Sequence, residues 1–294
     1  MQVENTLDRN NAAPNQGAFL SNIDPLKTAK DGIALVSEII KAAGDNPNVK
    51  EAASNLGQSA VTLTKTINNA LLPLAAINFA FDKARTYFNG KFQQDLSEKA
   101  SKIPVEELVE PKASIAGPTL QGLAFTHEEL GLKDMYLNLL ATAMDGRISI
   151  TAHPAFVEII KQLDAEDADL IRGALRTPAA IPIAKIRIAT VGQQGYQIVA
   201  THVLNLREGP DQNIIIENSR LPAIVDNWCR LGLVEVDYNQ HLTDAAAYEW
   251  VDKRPEMVRM KQAHENETVK VTYTMGILIR TQLGQRFASA VGLL

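Results

Sequence analysis

The stretch from Leu132 to Leu175, LKDMYLNLLATAMDGRISITAHPAFVEIIKQLDAEDADLIRGAL, constrains the fold more than any other part of the chain. Leu132, Met135, Tyr136, Leu139, Leu140 and Ala143 recur at intervals of three and four, so a helix here must bury one continuous apolar face. Asp145 and Gly146 stop that helix, and residues Ile148 to Ala152 cross a loop. His153 and Pro154 then open a second helix, with proline at a first-turn position that tolerates it. Phe156, Ile159, Ile160 and Leu163 form its apolar stripe. Upstream, Thr126 and Glu129 have the spacing of a capping box. A pair of amphipathic helices follows from these residues, and neither stripe reads as a catalytic site.

The flanking residues fit structural roles. His153 suits a helix start, where its ring bonds backbone, better than a catalytic or metal-ligating role. Asp164, Glu166, Asp167 and Asp169 crowd the first turn of a further helix, Asp164 to Leu175, where the helix dipole favours carboxylates without any metal. His127, His202, His241 and His264 stand apart in sequence, and no zinc spacing, serine elbow or Cys–His pair emerges. The residues thus point to a non-enzymatic protein with no cofactor.

Composition narrows the class further. A chain of 294 residues with 46% hydrophobic and 21% charged residues can bury a core without staples. Its single cysteine, Cys229, cannot form an internal disulfide and fits a small core residue better than a nucleophile. With no signal-peptide pattern at the start, the expected compartment is the cytoplasm. A net charge of −5 argues against a generally basic nucleic-acid binder, and the cations form only scattered pairs such as Lys185 with Arg187 and Lys253 with Arg254.

Three regions are expected. Residues 1–27, rich in Asn, Gln, Asp and Pro, read as a disordered tail. Residues 28–152 read as a helical domain, with a Pro-rich, extended connector at 101–118 that packs across other elements. Within it, ALLPLAAINFAF from Ala70 to Phe81 is the most apolar window, and it is shorter than the roughly 20 residues a spanning helix needs. It is either a buried core helix or a segment that engages a membrane surface or a partner through Leu72, Leu74, Ile77, Phe79 and Phe81.

Residues 153–294 read as an α+β domain, so the whole is α+β and predominantly α. Strands are expected at Ile181 to Ile188 and Tyr196 to Leu204, joined by a hairpin turn at Gly192 and Gly195. A helix from Leu221 to Leu231 ends at Gly232 and leads into a strand, Leu233 to Val236. A hairpin is expected from Thr268 to Tyr273 and Gly276 to Thr281, ahead of a last helix, Gln282 to Val291. This order resembles a winged helix. Were it to read DNA, Asn227 and Arg230 would face the groove and Lys270 and Arg280 the phosphates. The acidic neighbours Asp226, Glu235 and Asp237 oppose that, and favour a protein-interaction module.

Four segments carry a family resemblance: LVEPKASIAGP (Leu108 to Pro118), LKDMYLNLLATAMD (Leu132 to Asp145), HPAFVEIIKQLDAEDADLI (His153 to Ile171) and WCRLGLVEV (Trp228 to Val236). In this order they resemble the Abi-alpha (abortive infection alpha) family of bacterial proteins. The resemblance implies phage defence, in which an infected cell stops supporting phage growth, and brings no catalytic motif with it. Two readings stand. One is a defence effector that engages a protein partner, a phage component or the inner membrane face. The other is a soluble winged-helix regulator that binds a protein or, less readily, DNA; a homo-oligomer is compatible with either.

Overall fold

A computed structural model describes residues 78–208 and 214–294. The expected tail, the first part of the expected helical domain (residues 28–77), and with it Leu72, Leu74 and Ile77 of the apolar run, lie outside the described residues. Phe79 and Phe81 fall within the first described helix, α1 (Asn78–Asn89). It is followed by α2 (Phe92–Ala100), α3 (Ala113–Thr126), α4 (Leu130–Met144), α5 (Pro154–Ile160) and α6 (Ala165–Arg176). The described residues are α+β with a helical majority.

Helix α4 is the axis of the bundle. The sequence requires one buried face, and the structure wraps the helix on all sides: from Met135 to Met144 only Asn138 escapes full burial. The run LNLLATAM has small or apolar residues in every direction, so α2, α3, α5 and α6 can all approach it. Its two polar side chains hold the end of the chain. Asn138 Nδ2 donates to the carbonyl of Val291 at 3.1 Å, and Thr142 Oγ1 donates to that of Ala290 at 2.9 Å.

Two expectations about this region need correction. The capping box does not form: Thr126 closes α3, its hydroxyl donating to the Gly122 carbonyl at 3.1 Å, and Glu129 caps α4 without a side-chain bond. A helix that already occupies Thr126 leaves its hydroxyl to serve the last turn of α3. The connector also ends earlier than expected, because α3 starts at Ala113 and takes Pro118 into its interior. Pro118 has no N–H for the Ser114 carbonyl, but Ser114 is exposed and water can replace the donor. Upstream of Ala113 the connector does cross another element, with Gly146 N donating to the Glu107 carbonyl at 2.7 Å and Val109 N to that of Met144 at 2.9 Å.

The second layer is an antiparallel sheet of β1 (Ile181–Thr190), β2 (Gln197–Val203), β5 (Val234–Asp237) and β6 (Val269–Arg280), in the order β2-β1-β6-β5. A two-stranded ribbon, β3 (Arg207–Glu208) with β4 (Ile214–Ile215), stands beside it. The turn between β1 and β2 forms where expected, with Gly192 and Gly195 at φ of 79° and 97°. Helix α7 (Leu221–Arg230) leads through Gly232 into β5. A 3-10 helix (Ala245–Lys253) and α8 (Pro255–His264) precede β6, and α9 (Gln282–Ala290) follows it.

The hairpin expected over residues 268–281 is a single strand, paired with β1 from Val269 opposite Thr190 to Leu278 opposite Ile181. Gly276 makes no turn there. A Cβ at this position would lie 2.5 Å from the Tyr238 ring and 2.9 Å from the Asp237 carbonyl, so the glycine admits a close crossing. The strand that follows α7 pairs with the far end of β6, and residues 238–268, with the 3-10 helix and α8, lie between the two strands in sequence.

Two cores result. The larger runs from Ala84 to Leu293, includes residues on both sides of residue 153, and covers one face of the sheet at Ile183, Val234 and Leu278. The smaller packs Tyr248, Trp250, Val251 and Met257 against Ala184, Ile186 and Val271 on the opposite face. Between the 3-10 helix and α8 lies Arg254, whose side chain is 0% exposed. It holds Glu256 through two bonds of 3.0 and 2.7 Å and donates to the carbonyls of Leu206 and Ile216 at 3.3 and 2.7 Å. Those two carbonyls flank the ribbon, so one guanidinium ties it to α8.

Candidate functional site

The structure does not bring the four expected DNA-reading residues together. Asn227 Nδ2 donates to the Gln162 carbonyl at 2.9 Å, and Arg230 bonds the Gln162 side chain and Asn227 at 2.9 and 2.6 Å. Arg280 donates to the Leu175 carbonyl at the end of α6. Lys270 is exposed near the opposite end of β6, ten residues or roughly 33 Å along the strand.

Other sequence-stressed residues fill the structural roles expected of them. His153 caps α5, its Nδ1 accepting from Ala155 N at 3.1 Å. Asp164 and Asp167 form a reciprocal capping box on α6, with bonds of 2.8 and 3.2 Å. Arg220 pairs with both Asp164 and Glu166, and Trp228 Nε1 donates to Asp167 at 3.1 Å. Burial holds the Asp167 carboxyl above the usual range, whereas Asp164 is drawn down by the Asp167 N–H and Arg220. Cys229 is half-buried against the larger core, and burial pushes its thiol up and away from the thiolate form.

A shallow groove of about 670 Å³ opens between residues 148–156 and the outer side of α9. Gly146 and the 3-10 turn Ser149–Thr151 carry the chain off α4, and the short span before Pro154 leaves Ile150 projecting outward. Ile150 is 88% exposed and Leu283 on the facing helix 40%. The floor is Phe156, which is buried and meets Phe287 edge-to-face at 5.7 Å between ring centroids. His153, Gln285 and Arg286 supply polar atoms at the rim. Arg286 is exposed, is the one Arg, Lys, Asp or Glu in the lining, and forms no ion pair among the described residues. Ile150 and Leu283 thus stand exposed beside a buried aromatic floor, with Arg286 at the rim.

A second feature is conformational. Thr201 and His202 together face the single residue Lys185, a bulge in the β1–β2 pair, and His202 has φ of 53°, the left-handed region. Three bonds hold it there. Its N–H donates to the Tyr238 hydroxyl at 3.2 Å, its Nε2 lies 3.1 Å from Asp226, and its Nδ1 lies 3.1 Å from the same hydroxyl. Asp226 as a carboxylate only accepts, so Nε2 of His202 donates to it. Burial pushes the Tyr238 hydroxyl up to about 12, so it remains a donor. Sequence periodicity gave no sign of this network, because its members come from β2, α7 and the segment after β5.

Helices packed on an antiparallel sheet, with a groove beside α9 and a polar network around His202, define an α+β protein with a helical majority. The chain belongs to the abortive infection alpha family, whose model matches residues 84–291. No match to the chain was found among curated proteins or among solved structures. Among the described residues, no helix is long and apolar enough to cross a membrane.

Proposed function

We propose that this member of the abortive infection alpha family limits phage growth without catalysing a reaction, by docking a protein partner or phage component in the groove beside α9. The exposure of Ile150 at 88% carries this reading, since a large aliphatic side chain held in water beside an aromatic floor gains most from being covered. Arg286 gives the occupant its polarity: an apolar segment with an acidic residue is favoured over a basic one.

Plaque formation on cells that carry the intact gene, beside cells with Ile150→Asp/Leu283→Asp or Arg286→Glu, tests it. Protection is expected to fall in both variants, while thermal unfolding of the purified proteins stays within the small change typical of surface substitutions. Full protection by the double variant, at wild-type protein levels, would overturn the docking reading. Loss of protection only on charge substitution in the Ala70 to Phe81 run would move the action to that segment.

A further inference from the structure

We infer that the open face of the sheet, made by β1, β2 and β6 beyond Tyr238, binds single-stranded nucleic acid. The pairing puts Lys185 opposite Thr274, Arg187 opposite Thr272 and Ile198, and Ala189 opposite Lys270. Residues directly opposite in an antiparallel pair share a face, so Lys185, Arg187 and Lys270 stand on one side of the sheet. The intervening residues Ala184, Ile186 and Val271 point the other way, into the smaller core. The larger core covers the cationic side only as far as Ile183 and Leu278. Past that point Thr272 and Lys270 are exposed, and Tyr196 is 52% exposed.

The three cations make no ion pair among the described residues. Lys185 Nζ sits 4.0 Å from the Tyr238 ring centroid, the guanidinium of Arg187 lies 4.8 Å from that of Tyr196, and Arg187 Nε donates to Thr272 at 3.1 Å. Lys185 and Arg187 are thus held over rings and a hydroxyl while their charge is left unneutralised, and Lys270 is exposed beside them. Along the strand they step by roughly 7 Å, two residues at a time, a spacing that the phosphates of an extended strand can follow. Tyr196 supplies a ring on which a base stacks, the pattern of open sheets that bind single strands.

A duplex fits less well, because Asn227, Arg230 and Arg280 are engaged within the chain and leave α7 without free side chains to read a groove. A lipid surface fits less well too: the apex of the β1–β2 turn is Gln193 and Gln194, which resist burial among acyl chains. The net charge of −5 obscures this face in the composition, since Lys270 lies far along the sequence from the Lys185 and Arg187 pair and joins it only through strand pairing.

The test uses the full chain and a labelled oligothymidylate of about 16 nucleotides, followed by fluorescence anisotropy at rising salt. Binding should weaken with a log–log salt slope near −2, as three phosphate contacts on a single strand give. Arg187→Gln/Lys270→Gln should bring that slope to about −0.7 and weaken binding at least tenfold at low salt. Tyr196→Ala should weaken it at least fivefold. Ile150→Asp/Leu283→Asp should leave it unchanged, which separates this face from the docking groove. Absence of binding at low salt, equal binding by the glutamine variant, preference for a duplex of the same length, or sedimentation with phosphatidylglycerol vesicles without oligonucleotide binding would each overturn the inference.

Discussion

Replacing Arg254 by Met should cost more stability than any surface charge change in this protein. The guanidinium is 0% exposed, so its ion pair with Glu256 is not screened by solvent as exposed pairs are. Methionine fills much of the same volume but leaves Glu256, 15% exposed, as an uncompensated carboxylate, and removes the donors from the Leu206 and Ile216 carbonyls. Breaking a buried pair from one side costs about 3–5 kcal/mol. At roughly 2–4 °C per kcal/mol for a domain of this size, the melting temperature should fall by about 6–20 °C. Adding Glu256→Leu should recover part of the loss, because the orphan charge disappears while the two carbonyls still lack donors at about 1 kcal/mol each. Calorimetric melting of wild type, both single variants and the double variant closes the cycle. A drop under about 3 °C for Arg254→Met, or a double variant that loses the sum of the two singles, would refute the assignment of Arg254 as the clamp on the ribbon.

Two further outcomes are expected. At His202, Ala and Gly both delete the bonds to Asp226 and Tyr238, but only Ala keeps the cost of a Cβ at φ of 53°; His202→Gly should therefore be more stable than His202→Ala by about 1 kcal/mol in urea, and the reverse order would show that the bulge relaxes. The Arg147 side chain, bonded to Asp145 at 2.8 and 2.6 Å, holds the Asp145 carboxyl below the usual carboxylate range. A folded value below the unfolded one gives stability that is complete above the ordinary range and is lost as pH falls through it. Wild type should thus lose more stability than Asp145→Asn between pH 6 and pH 3, and parallel urea midpoints across that interval would contradict the pairing.

The parts of the fold that sequence reading reached are those fixed by local rules. The stripes of α4 and α5, the His153 cap, the carboxylates at the start of α6, and the Gly192–Gly195 turn depend on residues within a few positions of one another. The misreadings occur where a distant partner decides. Gly276 looks like a turn until Tyr238, from another segment, is seen lying against it. Pro118 looks like a breaker until α3 is seen to leave Ser114 in water, and Thr126 looks like a cap until α3 is seen to extend through it. Arg254 looks like half of a basic surface pair, because nothing local says that residues 206 and 216 will present carbonyls to it.

The same distinction explains why the surfaces with functional promise were the least legible. Ile150 sits in a loop whose pattern says only that it is short, and its exposure is set by where α9 lands, some 130 residues later in the chain. Lys270 stands far along the sequence from the Lys185 and Arg187 pair, and the three become a row only when the 12-residue strand β6 pairs with β1 in one register. A shift of that register by a single residue would turn Lys270 and Thr272 into the smaller core and Val271 out to solvent. Burial of Val271 beside Tyr248 and Trp250 therefore fixes the cationic face as firmly as it fixes the core, so the exposed row and the buried one have the same physical origin.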